Sequence, residues 1–303
     1  MNSANKQLKS PRSRAVCIGS VHWDWIGTTT IESCEDVPGI IERRPGGVAF
    51  NVAAGLNYNG VDAALLGAVG NDREGEELVR ALNHMGLCTK FLLRIPNLPT
   101  DRYLAIENRR GLVAAVADTR MLERAGIKIL DFFRSADSLS TARTWAHTIV
   151  IDGNLTSIFL EALHDIQKSL GSKFAVVCAS PGKASRISNF ARVPNTTIYM
   201  NLFEAKRLLG RDCRNACDAA ELLCNFGFER VAVTNGPSPA AVATFGELIE
   251  CRPPKVDAVR ATGSGDAFAA AHIASELNGD SAEQSLKNAV LLASLFAAGE
   301  LEY

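Results

Sequence analysis

The residues of this chain best suited to do chemistry stand in one short string, Thr262-Gly263-Ser264-Gly265-Asp266, which runs directly into the alanine-rich stretch Ala267–Ala271. The glycines let the backbone turn tightly and approach a ligand closely. The alanine-rich run reads as a helix. Its first N–H groups lack internal partners and lie at the positive end of the helix dipole, so an anion is welcome at Gly263, Ser264 and Gly265. Asp266 has two readings there. It can simply cap the helix start, or it can orient a hydroxyl and accept its proton while the amides hold charge building on a transferring group. The second reading is phosphoryl transfer, in which positioning and charge stabilisation are nearly the whole task.

Other chemistries lack their signatures. The chain has no G-x-x-x-x-G-K-[ST] loop, no G-x-G-x-x-G after a strand, no G-x-S-x-G elbow and no H-E-x-x-H. His22, His84, His147, His164 and His272 are isolated and read as structural, His22 least clearly. Eight cysteines are scattered over the sequence and read as free thiols. Cys213, Cys217 and Cys224 fall near one helical face, but without a C-x-x-C pair they fit inward packing better than a metal site.

The elements that must position the string alternate. Ala15–Gly19, Ala63–Val69, Thr148–Asp152, Phe174–Cys178, Thr197–Met200 and Arg230–Thr234 read as short buried strands. Gly46–Asn59, entered through a Gly-Gly turn, Asp72–Met85, capped by Asp72 and stopped at Gly86, Ser157–Leu170 and Asp218–Phe226 read as helices. This predicts an α/β fold of three layers with a mostly parallel central sheet. Tyr103–Glu107 and Gly111–Ala117 break the rhythm as a hairpin around Asn108–Arg110. With Val21–Ile26 and Gly39–Arg43 they predict a small β-sheet over one end of the main body, its segments at about 21–44 and 97–118. No repeat, low-complexity tract or linker divides the chain, so residues 1–303 are expected to form a single domain, with 1–14 as a flexible tail.

Composition bounds the partners. Apolar residues make up 47% and charged residues 21% of 303, with a net charge of -1, so no basic field exists to hold nucleic acid. No apolar run can span a membrane, and the first 14 residues lack a secretion signal, which predicts a cytoplasmic protein.

Five separated segments, in order, resemble the ribokinase-like (PfkB) family of carbohydrate and nucleoside kinases. Gly19-Ser20-Val21-His22-Trp23-Asp24 resembles the first strand, ending in an Asp that binds substrate hydroxyls. Pro45-Gly46-Gly47-Val48-Ala49-Phe50-Asn51 resembles the N-terminal signature, where the Gly-Gly turn and the Asn contact substrate. Asn201-Leu202-Phe203-Glu204 matches the N-x-x-E motif. Val233-Thr234-Asn235-Gly236 is similar to the turn that touches ATP, and Thr262–Asp266 matches the C-terminal signature with Ser for the commoner Ala. The resemblance implies ATP and Mg²⁺ as cofactors, Asp266 as base and Gly263–Gly265 as anion hole. It places Asp24, Gly46, Gly47 and Asn51 on the substrate. It places Asn201, Thr234, Gly236, Thr262 and Asn288 on ATP, and Glu204 on Mg²⁺ through water. Plainer readings stay open: Asn201 and Glu204 as a solvated helix start, Asp24 as a turn cap.

Departures from the family pattern carry information. Arg260 stands where members usually have the Asp of a monovalent-cation loop, so K⁺ dependence is not expected. Pro239 stands where the ATP turn commonly has a second Gly. Pseudouridine kinases also lack the Asp at the Arg260 position. They share a lid strand ending in Asp, here Asp118, and an Asp-x-Asn, here Asp152-Gly153-Asn154. The resemblance therefore implies phosphorylation of pseudouridine at its 5′ hydroxyl, with Asp118 and Asn154 on the substrate. Another nucleoside, a free sugar of the ribokinase or fructokinase type, and a non-catalytic binding protein on the same fold remain as alternatives. A small sheet with one face on the site leaves its other face open for pairing, which implies a homodimer through the lid.

Overall fold

The computed structural model describes residues 12–30, 36–108, 111–134, 141, 144–260 and 262–303; Cys34, the tip of the hairpin at Arg110 and most of the expected tail lie outside them. In chain order the first half comprises β1 (Arg14–Ile18), β2 (His22–Thr28), β3 (Ile40–Gly46), α1 (Val48–Tyr58), β4 (Asp62–Leu66), β5 (Ala68–Gly70), α2 (Arg73–His84), β6 (Leu93–Ile95), β7 (Arg102–Asn108), β8 (Gly111–Asp118), α3 (Arg120–Ala125) and α4 (Asp131–Arg134). The second half comprises β9 (Thr148–Asp152), α5 (Ser157–Leu170), β10 (Lys173–Val177), β11 (Thr196–Asn201), α6 (Leu202–Leu209), α7 (Ala216–Phe226), β12 (Arg230–Asn235), β13 (Ser238–Thr244), β14 (Glu247–Cys251), α8 (Ser264–Leu277) and α9 (Ala282–Ala297).

Among the described residues an eight-stranded sheet runs in the order β14-β13-β12-β11-β10-β9-β1-β4, parallel from β12 to β4. Because side chains alternate along a strand, neighbouring residues feed two separate cores. Val16, Ile18, Ile149 and Ile151 pack with Phe159, Leu163 and Leu223 of α5 and α7. Ala15, Cys17, Val150 and Tyr199 pack with Val52, Leu56, Phe268 and Val290 of α1, α8 and α9. Parallel strands share a direction, so the segments after β1, β9, β10 and β11 all emerge at one end of the sheet. That end is where ligands bind in open α/β sheets.

A second sheet, in the order β3-β2-β7-β8, stands apart from the first. Its alternation has a buried side carrying Asp24, Ile26 and Ala105 and an outer side on which Ile41, Leu104, Ile106 and Val116 are 71%, 49%, 45% and 65% exposed.

One expectation needed correction. Ala63–Val69 is not one strand. The chain breaks at Gly67, where a β-carbon would stand 2.5 Å from the Gly19 carbonyl oxygen, and β5 leaves to pair with β6. The large sheet is otherwise mostly parallel as expected, closed at one edge by the antiparallel strands β13 and β14. The cap of α2 is as expected: Asp72 accepts from the Gly75 amide at 2.8 Å.

One buried group makes the fold sensitive to acid. His272 on α8 has no exposed surface; its Nδ1 lies 3.0 Å from the Tyr199 hydroxyl. Burial, with help from the Arg230 charge, holds its pKa down at about 3, against an ordinary 6.5. The folded value lies below the unfolded one, so its contribution is complete above pH 6.5 and is lost as pH falls through that value toward 3. From pH 7 to pH 5 the loss is about 2 kcal/mol. In His272→Phe this part disappears, so the gap in urea unfolding free energy between wild type and variant should narrow by about that much. A constant gap would mean the imidazole titrates alike in both states.

Candidate active site

The Thr262–Asp266 string forms the turn into α8. Gly263 sits at the N-cap with φ of 89°, a conformation natural to glycine, and no side chain of its own caps the helix. Phe296 closes the back of the turn: a β-carbon on Gly263 would lie 3.1 Å from its ring. The turn is braced from α9, because the Val259 and Arg260 amides both donate to the Ala297 carbonyl, at 2.8 and 3.1 Å. Arg260 pairs with Glu302 and lies 5.5 Å above the Phe296 ring.

Asp266, in the first turn of α8, accepts from the Asn51 side-chain amide at 2.7 Å. Asn51 stands on α1, which also begins at a glycine pair. Burial pushes the Asp266 carboxyl up to about 7, with further upward pressure from the Asp152, Glu204 and Asp24 charges against the opposing Asn51 bond. It keeps a solvent-accessible edge.

Asp24 and the Gly-Gly turn form the next wall. Gly46 has no room for a side chain, since a β-carbon would meet the Asp24 carboxylate at 2.1 Å. Gly47 has φ of 103°, and its β-carbon would lie 2.3 Å from the Ser20 carbonyl oxygen. His22 Nδ1 is 3.0 Å from Asp24 Oδ1. Across the strand ends, Asp152 is fully buried; its Oδ2 accepts from the Ser20 amide at 2.8 Å and from the Ser20 hydroxyl, and its Oδ1 accepts from the Asn154 amide at 2.7 Å. Asn154 in turn accepts from Lys183 Nζ at 2.5 Å, and burial pulls the Lys183 pKa down.

On the other side, Asn201 and Glu204 form a reciprocal capping box at the start of α6. Asn201 Oδ1 accepts from the Glu204 amide at 3.0 Å, and Glu204 Oε2 accepts from the Asn201 amide at 2.8 Å. Glu204 is 4% exposed, and burial raises its carboxyl to about 7. Thr234 pairs in register with Asn201, and Gly236, at φ of 51°, makes the turn between β12 and β13. Pro239 falls inside β13, beside the bulge at Val233–Asn235. Thr262 donates to Glu107 of β7 at 3.1 Å, joining the small sheet to the turn before α8.

The structure thus gathers Asp24, Gly46, Gly47, Asn51, Asn154, Asn201, Glu204 and Gly263–Asp266 around one end of the sheet. Asp118 is at the foot of the small sheet with both oxygens on Arg120, at 2.7 Å each. Asn288 lies farther off. It bonds Ser275 at 3.0 Å near the other end of α8, about 18 Å of helix from Gly263, so it can meet only the remote part of a long ligand. Ser20 and Lys183 were missed as functional candidates. Ser20 lay in plain view beside Gly19, whereas nothing in the spacing marks Lys183. Among the described residues no three His, Cys, Asp or Glu side chains cluster to cage a metal. A lone buried carboxylate such as Glu204 suits an ion that arrives with phosphates and keeps its waters.

A profile described as pfkB family carbohydrate kinase matches residues 12–299. The chain belongs to the pfkB family. It is a kinase of sugars or nucleosides, a phosphotransferase acting on hydroxyl groups. Its relatives include the "Uncharacterized sugar kinase YeiI" of Escherichia coli, 28% identical over 93% of this chain and 78% of that one. The "Pseudouridine kinase" of Escherichia coli is 26% identical over 84% and 81%. The "ATP-dependent ribose-1-phosphate kinase" of Halopiger xanaduensis is 28% identical over 95% and 93%. The fold is ribokinase-like. The Arabidopsis thaliana ribokinase complexed with ribose and ATP superposes with a TM-score of 0.79, at 19% identity, over 97% of this chain and 94% of that one.

The crowding at Gly46 makes a sharp prediction. Gly46→Ala must displace the Asp24 carboxylate, because the alternative is a contact far inside van der Waals distance. The kinase should show an acceptor KM raised on the order of 10-fold or more, with ATP KM nearly unchanged, if Asp24 holds the acceptor. An ATP KM that rises instead would put Asp24 on the nucleotide.

Proposed function

We propose that this kinase uses Mg-ATP to phosphorylate a nucleoside, with pseudouridine and its 5′ hydroxyl as the first choice. The observation that carries the proposal is the convergence of Asp266, Asn51 and the Gly263–Gly265 turn at the shared end of α1 and α8. In this reading Asp266 takes the acceptor proton, and the Gly263, Ser264 and Gly265 amides hold the charge of the moving phosphoryl group. A base with a pKa near neutrality is well matched to this task. Asp24, Gly46, Gly47, Asn51, Asp118 and Asn154 hold the acceptor. Asn201, Thr234, Gly236 and Thr262 line the triphosphate side, with Asn288 toward the remote end of the nucleotide. Glu204 would hold Mg²⁺ through water, and the ion, when bound, neutralises phosphate charge. The chain is read as one kinase domain with the small sheet as its lid, cytoplasmic, and a homodimer through the exposed outer face of Ile41, Leu104, Ile106 and Val116.

Pseudouridine is supported by Asp118, by the Asp152-x-Asn154 pattern, by Arg260 at the usual Asp position and by the pseudouridine kinase relative. A second reading is a sugar or sugar phosphate. It is supported by Lys183, a half-buried cation whose hydrogen-bond partner here is the neutral Asn154, and by the name of the Halopiger relative. ADP release with Mg-ATP across pseudouridine, uridine, ribose, fructose and ribose 1-phosphate separates the two readings. Turnover on none of them would favour a binding protein.

The base assignment has its own test. With the Asp266 pKa at about 7, kcat/KM should fall below that pH and level off above it. Asp266→Asn should keep ATP affinity and lose roughly 10²–10⁴ in turnover. Near-normal turnover in that variant removes Asp266 from the role of base.

A further inference from the structure

We infer that Asp152 is a positioning residue of the transfer reaction, acting through Ser20 on the helix that presents Asn51 to Asp266. The inference rests on the kinase reading above and adds a residue to it. It starts from the beginning of α1. That helix opens at Gly47 with no side-chain cap of its own, so its first amides need partners from elsewhere. Ser20 supplies them across the fold: its hydroxyl accepts from the Val48 amide at 3.1 Å, and its carbonyl accepts from the Phe50 amide at 3.4 Å. A hydroxyl that accepts must send its own proton somewhere, and Ser20 sends it to Asp152, which also takes the Ser20 amide. Asp152 therefore sets the rotamer that makes Ser20 a cap. One turn into α1, Asn51 reaches Asp266 at 2.7 Å. The chain of contacts runs from Asp152 through Ser20 and α1 to the base.

The same carboxylate holds the opposite wall. Its Oδ1 fixes the Asn154 amide, and Asn154 bears the Lys183 contact. Gly19 must be glycine for this to work, since its β-carbon would fall 2.2 Å from that of Asp152. A fully buried carboxylate is costly unless its oxygens are bonded, and three donors meet that need. With donors on both oxygens, capping itself calls for a carboxylate, which accepts at both positions. The negative charge adds a second effect, because Asp152 raises the Asp266 carboxyl. The groups facing Asp266 are Asp24 from β2, Asn51 from α1, Asp152 at the end of β9, Glu204 from α6 and Tyr303, with Lys183 acting on Asp152.

Ser20→Ala and Asp152→Asn separate the two effects. The wild-type enzyme is first shown to turn over one acceptor of the panel; if it turns over none, the kinase reading falls and takes this inference with it. Ser20→Ala should raise acceptor KM roughly 10-fold, leave ATP KM within about twofold and not move the acidic limb of the kcat/KM profile to lower pH, since loosening the Asn51 bond can only raise the Asp266 carboxyl. Asp152→Asn presents an N–H to a site built from donors. It should raise acceptor KM as much or more, and it should also move the acidic limb to lower pH by roughly half a unit or more, because a like charge has left Asp266. A folded Asp152→Asn enzyme with wild-type acceptor KM and an unmoved limb would reduce Asp152 to a structural residue. Should that variant fail to fold, Ser20→Ala decides the positional claim, with acceptor affinity read by calorimetry. A change confined to ATP KM, or none, overturns it.

Discussion

The hydrogen bond between Asn51 and Asp266 joins the starts of two helices that pack closely side by side, with Gly55 of α1 against Ala270 of α8. Each helix begins at a glycine in the left-handed region, Gly47 for α1 and Gly263 for α8, and neither glycine offers a side-chain cap. Both starts therefore depend on outside partners. Ser20 serves α1, and α9 braces the turn before α8 through Ala297 and Phe296. Uncapped amides are a weakness in an ordinary helix. Ser20 takes the Val48 and Phe50 amides of α1, so of the two starts it is α8 that is placed to meet an anion. The shape of the site follows from keeping these two ends aligned.

Electrostatics then sets the state of the site. Burial raises the Asp266 carboxyl first, and the nearby charges of Asp152, Glu204 and Asp24 add to it. The cost of gathering negative charge is met by hydrogen bonds, three on Asp152, one on Asp266 and the capping box on Glu204. A polyphosphate entering this surrounding meets amides and a helix dipole on one side and carboxylates on the other. Its own charge has to be offset by what it brings with it, which is consistent with a nucleotide that arrives already bound to a cation.

Much of this was legible in the residues. The Gly-Gly turn, the TGSGD string and the parallel strands are local patterns, and α5 and β9 lie where their apolar spacing put them. What stayed hidden is non-local. Ser20 caps α1 from 28 residues away, and a trans cap has no spacing to detect. Lys183 comes to Asn154 from 29 residues downstream, after a strand, so its role depends on where the strand ends. The break at Gly67 was invisible because the group that crowds it, the Gly19 carbonyl, follows a strand distant in sequence. Asn288, in contrast, sits in a helical pattern that says nothing of which end of α8 it faces.

The capping box of Asn201 and Glu204 shows why a plain structural reading and a functional one need not compete. The two residues satisfy each other's backbone amides at the helix start, as any S/T/N-x-x-E pattern would on an exposed helix. On an exposed helix, however, the glutamate would remain an ordinary acid. Here it is buried with the Cys178 thiol beside it, and its carboxyl rises to about 7. The cap binds through Oε2 and fixes the carboxylate in one orientation. A carboxylate so fixed has lost its rotamer freedom before any ligand arrives, so a ligand that uses it does not meet that entropy cost again. The same argument applies to Asp152 and Asp266, each held by donors from another element. Rigid capping is therefore part of how this end of the sheet is prepared to meet a ligand.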